Sequence, residues 1–93
     1  MGETMRIASE KSGYTLADRG TYLSAKDKLA LLIMVEGDKA LFNQYGVIPV
    51  ADAKNAQGAK DFAHWITSAE GQDVIRKFGV AEFGQPLFIP NAE

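Results

Sequence analysis

The sequence predicts an α/β fold with few strands, and three observations support this prediction. Two stretches toward the C-terminus carry helix-capping residues followed by apolar residues at helical spacing, which is typical of surface helices. The run LALLIMV at residues 29–35 lacks the 3.6-residue helical period and is followed by Glu-Gly-Asp, which favours a strand buried on both faces. The predicted order is therefore helix, helix, strand, strand, helix, helix and an irregular tail.

The first two helices are predicted in the opening quarter of the chain. Residues 3–11 consist of helix formers, and Ser12-Gly13 is a natural end for a helix because glycine adopts the left-handed conformation easily. In the following stretch, Thr15 and Asp18 have the three-residue spacing of a capping box, which predicts that a second helix begins at Thr15. The face predicted to be buried on this helix is formed by Leu16, Gly20 and Leu23.

The middle of the chain predicts two strands separated by a short turn. The first strand covers residues 29–36, and residues 38–43 predict a single helical turn. The stretch YGVIPVA at residues 45–51 is rich in β-branched residues, which favours a second strand. Because Pro49 cannot donate a backbone hydrogen bond, this strand is restricted to the edge or the end of a sheet.

Two amphipathic helices are predicted near the C-terminus. Asn55 is a good N-cap for the first of them, over residues 57–66, and Thr67 with an acidic residue three positions later caps the next helix, which ends at Gly79. The apolar stripe of the first helix is Ala59, Phe62, Ala63 and Ile66. The buried side of the second is Val74, Ile75 and Phe78. The tail VAEFGQPLFIPNAE has no helical period and should lie across a surface.

Composition excludes several classes of function. A length of 93 residues suits one small domain. The net charge of −2 and the pI near 5.3 argue against nucleic acid or an anionic membrane as a partner, because such partners require a basic surface. The absence of cysteine excludes disulfides, thiolate metal sites and a thiol nucleophile. Met1-Gly2-Glu3 does not resemble a signal peptide, and no apolar run approaches the roughly 20 residues needed to span a bilayer.

Few residues are suited to catalysis or metal binding. Glu36 and Asp38 flank Gly37 after the first predicted strand, where acids can act as general acid or base, although Gly-Asp also occurs in such turns for conformational reasons. The single histidine, His64, lies off the apolar stripe of its helix and is expected at the surface or its boundary. We therefore predict neither an enzyme nor a metal site.

The stretch YTLADRGTY, residues 14–22, is the candidate ligand site. Hydroxyl groups and one guanidinium near the start of a helix can form a cradle for an oxyanion. The candidate ligand-binding residues are Tyr14, Thr15, Arg19 and Thr21. The carboxylate of Asp18 would repel an anion on its own side, so the ligand would have to approach from the other side. The alternative is structural: Thr15 and Asp18 cap the helix while Arg19 pairs with a nearby acid.

Four segments carry a resemblance to a known family. They are AKDFAHWITSAEGQDVIRKFG, YTLADRGTYL, EGDKALFNQYGVIPV and FGQPLFIP, and they extend in consistent order from about Met5 to Pro90. Together they resemble the C-terminal portion of the tungstate-binding proteins, which are solute-binding proteins of ABC transporters. These belong to the PBP-like group that also includes receptors for molybdate and other oxyanions.

The resemblance implies a partial type II periplasmic-binding-protein-like fold, in which a few-stranded sheet is packed by helices. The chain would be a fragment of a two-lobed receptor that lacks the N-terminal half. Residues 1–35 would belong to the second lobe, and residues 36–93 would form the return crossing and the C-terminal helices. The intact receptor would bind tungstate or molybdate without a cofactor, contact an ABC transporter permease, and lie in the periplasm or outside the cell.

The resemblance also implies uncovered apolar surface on an isolated fragment. The residues expected to be left uncovered are Phe62, Trp65, Ile66, Phe78, Phe83, Leu87, Phe88 and Ile89. An apolar patch of this size favours self-association, so a homodimer is expected. Two alternative functions stay open at this point, a small self-associating interaction domain and a small enzyme that uses Glu36, Asp38 and His64.

Overall fold

The computed structural model describes residues 1–92. The α-helices within them are α1 (Gly2–Glu10), α2 (Arg19–Ala25), α3 (Ala56–Ile66), α4 (Ala69–Lys77) and α5 (Val80–Phe83). Short 3₁₀ turns lie at Lys26–Lys28 and Lys39–Leu41, and the second of these confirms the helical turn predicted after Gly37. The chain divides into two compact units, the first from Met1 to Phe42 and the second from Asn43 onward. No described helix has the length and apolar character needed to cross a membrane.

Helix α1 confirms the first predicted helix, with both limits shifted by one residue. It runs over Gly2–Glu10 rather than 3–11. The residue in the left-handed conformation after the helix is Ser12, with φ of 54°, and not the glycine that follows it. The backbone N–H of Gly13 donates to the carbonyl of Ala8 at 2.8 Å, which closes the last turn.

Helix α2 begins later than predicted, and the prediction of a capping box formed by Thr15 and Asp18 is wrong. The N-cap is Asp18, whose φ of −84° and ψ of 156° are extended, and the helix starts at Arg19. Thr15 lies outside the helix, and its hydroxyl donates to the carbonyl of Leu16 at 3.4 Å. Leu16 is therefore exposed instead of lying on the buried face. The spacing misled the prediction because an aspartate can serve either as the third residue of a helix or as its cap.

The core of the first unit lies between α1 and α2, which pack against each other. Met5 retains 1% of its accessible surface and Leu23 retains 6%, and Ala8 is also buried. Removing one such side chain from water stabilises the fold by about 2 kcal/mol. Of the three residues predicted to form the buried face, Leu16, Gly20 and Leu23, the structure fully buries Leu23, which confirms this position.

Both predicted strands are absent from residues 1–92, which contain helices and turns but no strand. Residues 29–36 and 45–51 form no regular element, except for a turn at the end of the second segment. A strand exists only through hydrogen bonds with a neighbouring strand, and no described segment forms a ladder of backbone hydrogen bonds with either of these. The two strands of the α/β prediction are therefore not confirmed here, because a sequence pattern indicates strand propensity but does not supply a partner.

Helix α3 begins as predicted. The side chain of Asn55 accepts a hydrogen bond from the backbone N–H of Gly58 at 2.9 Å, which confirms this residue as the N-cap. The helix covers Ala56–Ile66. Three residues of the predicted stripe, Ala59, Ala63 and Ile66, are half-buried, whereas Phe62 is exposed.

Helix α4 is capped one residue later than predicted. Ser68, and not Thr67, accepts the capping hydrogen bond, from the N–H of Gly71 at 3.2 Å. The hydroxyl of Thr67 instead donates to the Ala63 carbonyl at 2.8 Å and completes the end of α3. On the side of α4 predicted to be buried, Ile75 is half-buried but Val74 and Phe78 are exposed.

The tail contains one helical turn that the sequence analysis did not predict. Helix α5 covers Val80–Phe83 between two glycines, Gly79 and Gly84, whose φ angles are 84° and 75°. Gly79 confirms the predicted end of the preceding helix, because only glycine adopts this conformation without strain. Beyond α5, the N–H of Ala92 donates to Gln72 Oε1 at 2.9 Å, which fixes the end of the described chain to α4.

Candidate functional site

The predicted anion-binding residues flank the start of helix α2. Tyr14 and Thr15 lie in the irregular segment before the helix, Arg19 is its first residue, and Thr21 lies in its first turn. The side chain of Tyr14 is 90% exposed and that of Thr21 is half-buried. Within residues 1–92, no hydrogen bond or ion pair joins any two of the four. They lie along one stretch of chain without forming a closed site.

Arg19 has a carboxylate partner. Its Nη2 atom lies 3.4 Å from Oε2 of Glu36, and the two side chains are 36% and 59% exposed. An ion pair with this exposure contributes little to stability. A guanidinium carries five N–H donors, so this single long contact leaves donors free for an anion. The structural alternative gave Arg19 an acidic partner nearby but could not identify it, because no local pattern connects residues 17 positions apart.

A second tyrosine of the same stretch has a structural role that the sequence analysis missed. The hydroxyl of Tyr22 donates to the backbone carbonyl of Leu31 at 3.0 Å. The hydroxyl of Ser9 accepts from the N–H of Ala30 at 2.8 Å, so the two bonds together fix the beginning of the apolar segment 29–36 to the helices. Tyrosine and serine are common in many settings, and nothing in the sequence marked these two.

Asp18 limits the direction from which an anion can reach this region. Its side chain makes no capping hydrogen bond, and its Oδ1 atom is buried without a hydrogen-bond partner among the described residues. A carboxylate next to Arg19 repels an oxyanion on the same side. The geometry therefore favours an approach to Arg19 from the side facing away from Asp18.

An open groove of about 260 Å³ lies beside Tyr14 in the first unit. The residues that line it are Ser12, Gly13, Tyr14, Ala30, Leu31, Leu32 and Met34. Apolar side chains predominate, and none of the lining residues carries a charge. The groove is therefore suited to an apolar side chain rather than to an oxyanion.

The candidate catalytic acids have structural partners. Glu36 pairs with Arg19, as described above, and Oδ1 of Asp38 accepts from the N–H of Ala40 at 2.8 Å and caps the second 3₁₀ turn. Gly37, with φ of 78°, lies between them. The conformational interpretation of Gly-Asp is thus confirmed. Among the described residues, no group of three or more potential metal ligands is close enough to hold an ion.

His64 is exposed on α3 in the second unit, which confirms its predicted surface position. It borders an open groove of about 280 Å³ together with Lys60, one helical turn earlier. The other residues that line this groove are Val47, Pro49, Ala63 and Thr67. A lysine and a histidine on one helical face create a locally basic surface, but both side chains are open to solvent.

Ion pairs on the surfaces of two helices shift the pKa values of Glu3, Arg6 and Asp73. On α1, the hydrogen bond from Arg6 lowers the pKa of Glu3, and the two carboxylates beside Arg6 raise the pKa of the guanidinium. On α4, the hydrogen bond from Lys77 is the main cause that lowers the pKa of Asp73. The side chains of these ion pairs are between 42% and 74% exposed, so the pairs contribute little to stability.

Comparison with known proteins identifies related sequences. A sequence profile of the PBP superfamily domain matches residues 1–70. In an alignment of 96 positions that covers 99% of this chain, it is 53% identical to the tungstate-binding protein TupA of Peptoclostridium acidaminophilum. In an alignment of 98 positions that covers 97% of this chain, it is 37% identical to the tungstate-binding protein TupA of Campylobacter jejuni. In an alignment of 101 positions that covers 99% of this chain, it is 42% identical to a Haloferax volcanii protein assigned as an ABC transporter anion-binding protein.

The resemblance predicted from the sequence motifs is confirmed by these matches. The chain spans about a third of the length of these relatives, 34%, 36% and 29% respectively. No solved structure matches the chain.

Proposed function

The chain belongs to the PBP superfamily, and from this premise we propose that it is part of the substrate-binding component of an ABC importer for tungstate or a related oxyanion. The observation that carries the proposal is its similarity, along nearly its whole length, to proteins named for tungstate binding. Binding an oxyanion requires positioned donors and no catalytic group, and the two candidate acids are engaged in an ion pair and a cap.

The proposal extends to ligand, partner and location. Tungstate or molybdate is the ligand, the permease of the importer is the partner, and the complete receptor works in the periplasm or outside the cell without a cofactor. The protein is not an enzyme. In support of the ligand and the partner, all three relatives are named as binding proteins, and the Haloferax volcanii relative is named as the anion-binding protein of an ABC transporter.

Within this function, Tyr14, Thr15, Arg19 and Thr21 are the proposed ligand contacts. Arg19 is the most informative of them, because a charge-assisted hydrogen bond to an anion is about twice as strong as a neutral one. Its long, exposed contact with Glu36 is easily exchanged for a ligand oxygen. The exposure of Tyr14 suits a residue that closes over a ligand from the surface.

The fold proposed for the complete receptor is α/β, as membership in the PBP superfamily implies. Residues 29–36 and 45–51 are strands there, and they become regular once a neighbouring strand lies beside them. The support is their composition, which is rich in aliphatic and β-branched residues, and their lack of helical structure.

The function can be tested with a chimera. This chain would replace the matching third of the Peptoclostridium acidaminophilum relative, and calorimetry would follow the addition of tungstate, molybdate and sulfate. We expect the chimera to bind tungstate, whereas the 93-residue chain alone should bind it weakly or not at all, because an incomplete cleft leaves its donors in water. A folded chimera that binds none of the three anions would contradict the proposal.

Arg19→Ala in the same chimera should weaken tungstate binding by more than about 1 kcal/mol, because a charge-assisted hydrogen bond to the ligand is lost. Arg76→Ala is the matched control, since Arg76 lies on α4 and pairs with Asp73. Glu36→Gln distinguishes a ligand-binding role of Arg19 from a structural role. It removes the partner of Arg19 but should leave binding intact. If Arg19→Ala and Glu36→Gln both lower thermal stability and neither changes affinity, Arg19 has only a structural role.

A further inference from the structure

We propose that residues 84–92, the strap, act as a clamp that holds residues 43–51, the central segment, in place beside helix α4. Releasing the clamp should free the central segment while α3 and α4 stay folded. This inference concerns a conformational device and does not depend on the oxyanion-binding function. The contacts that carry it all lie within the second unit, so they require no further part of a polypeptide.

The central segment has few contacts of its own. It contains no helix or strand, and none of its backbone groups is hydrogen-bonded to another backbone group of residues 1–92. Each of its residues is exposed, including Val47 and Pro49, which line the open groove beside α3. A segment without a backbone ladder or buried side chains opens easily, so its position has to be fixed by another part of the chain.

Two contacts join the strap to the start of the central segment. Asn91 Nδ2 donates to Gln44 Oε1 at 2.7 Å, and Gln44 Nε2 donates to Asn91 Oδ1 at 3.2 Å. The ring of Phe88 meets that of Tyr45 edge to face, with the centroids 5.8 Å apart, which is a favoured geometry for aromatic pairs. Among the described residues, Asn91 is the only hydrogen-bond partner of the central segment that is distant in sequence.

The middle of the strap packs at the end of α4. Leu87 is half-buried and lies over Gly79, where a Cβ atom would come within 2.8 Å of Leu87 Cγ. The ring of Phe88 lies 6.4 Å from that of Phe78, the residue at the C-terminus of α4. Phe88 therefore stands between an aromatic ring of the central segment and one at the end of α4.

The end of the strap makes the same kind of bridge with hydrogen bonds. The N–H of Ala92 donates to Gln72 Oε1 on α4, while the preceding residue, Asn91, is bonded to the central segment. Two adjacent residues thus contact two different elements. In the complete receptor, where residues 45–51 are proposed to form a strand, the same clamp would place the start of that strand beside α4.

Helices α3 and α4 have contacts that do not involve the strap. Gly71 lies against the backbone of Trp65, and the side chains of Asn55 and Ser68 cap the two helices. These contacts persist when the strap is released. Opening of the clamp is therefore a local event that does not require the second unit to unfold.

Nuclear magnetic resonance relaxation tests the clamp in the 93-residue chain. In the unaltered chain, the backbone order parameters of the central segment should be close to those of the helices, about 0.85. The double variant Phe88→Ala/Asn91→Ala should lower them below about 0.6 around Tyr45, because both bridging contacts are lost. The order parameters of α3 and α4 should not change.

Two further variants make the test specific. Phe62→Ala is the matched control, because it removes an exposed ring that lies 6.2 Å from the ring of Trp65 but does not touch the strap. The central segment should stay ordered in this variant. Gln44→Ala should have the same effect as Asn91→Ala, and combining the two should add little, since each amide acts through the other.

Three results would overturn the proposal. The first is a central segment that is already mobile in the unaltered chain. The second is a central segment that stays ordered in the double variant, because the strap would then not hold it. The third is an equal loss of order in α3 and α4, which would show that the strap belongs to the core of the unit and does not open separately.

Discussion

The two units of the chain are stabilised by different interactions. In the first unit, the apolar side chains of Met5, Ala8 and Leu23 are buried, yet neither α1 nor α2 has a side-chain cap at its N-terminus. In the second unit, Asn55 and Ser68 cap α3 and α4. Among the described residues of the second unit, no apolar side chain reaches the burial of those in the first.

The difference shows that a small unit can be stabilised either by burial of apolar side chains or by contacts that satisfy backbone groups at the ends of helices. In the second unit, Gln72 donates to the carbonyl of Ile66 at 2.7 Å and accepts from the N–H of Ala92 at 2.9 Å. Gly71 is buried against the backbone at the end of α3. These contacts satisfy backbone groups at helix ends, where they lack partners within the helix. Substitutions should therefore affect the two units through different mechanisms.

The largest effect is expected for Met5→Ala, with a loss of about 3 kcal/mol, because it leaves a cavity in the most buried position of the first unit. Ile7→Ala on the same helix is the control and should cost less than about 1 kcal/mol, since Ile7 is partly exposed. Urea unfolding followed by circular dichroism measures both. Trp65, the single tryptophan, lies in the second unit and reports whether that unit unfolds independently. Equal losses in the two variants would show that Met5 is not the centre of a packed core.

Gly71→Ala should destabilise the second unit by about 2 kcal/mol. A Cβ atom at this position would collide with the carbonyl oxygen of Trp65 and lie 2.8 Å from Cα of Ile66, so the two helices would have to separate. Gly46→Ala is the matched control, because a Cβ there has nothing within 4 Å. Tryptophan fluorescence during urea unfolding compares the two. A Gly71→Ala variant as stable as Gly46→Ala would show that α3 and α4 are free to move apart.

Ser68→Ala should cost about 1 kcal/mol, the usual contribution of an N-cap hydroxyl. Ser68→Asp should restore most of this loss, because aspartate also accepts the capping hydrogen bond and is favoured near the N-terminus of a helix. Thr67→Ala, on the residue that the sequence predicted as the cap, should be less harmful than Ser68→Ala. If thermal unfolding shows a larger loss of stability for Thr67→Ala than for Ser68→Ala, Thr67 is the N-cap.

The smallest effect is expected for Asp73→Asn and depends on pH. Lys77 lowers the pKa of Asp73 in the folded chain, so the ion pair stabilises the folded chain at neutral pH. That contribution is lost as the pH falls through the lowered pKa. Asp73→Asn should therefore slightly reduce thermal stability at neutral pH and make no difference in strong acid. In a Lys77→Met background the neutral-pH difference should shrink, and a constant difference at all pH values would exclude the ion pair as its cause.

The parts of the fold that were predicted correctly depend on neighbouring residues in the sequence. The Asn55 cap, the end of α4 just before Gly79 and the 3₁₀ turn after Gly37 each follow from side-chain oxygens or glycine conformation within a few residues. Even here the observed helix limits differ from the predicted ones, because Ser68 and Thr67 are both good N-caps and only the backbone geometry decides between them.

The parts that were missed, or that were predicted and are not formed in the structure, depend on distant partners. Strands at residues 29–36 and 45–51 require a neighbour that no local pattern provides. The Arg19–Glu36 ion pair and the Tyr22 contact to Leu31 join residues 17 and 9 positions apart. The candidate site was identified from residue types alone, and its contacts with a ligand stay a prediction.

The amide pair between Gln44 and Asn91 bears on the order of folding. Each side chain donates to the other, at 3.2 Å and 2.7 Å, across a separation of 47 residues. Closing a loop of this length costs about 3 kcal/mol of chain entropy, whereas the helices between these residues form from neighbouring groups in microseconds or less. The pair therefore closes after the helices have formed and contributes little to the folding barrier. Its main kinetic effect is to slow unfolding, so the second unit keeps its ends together longer than its shallow burial alone would allow.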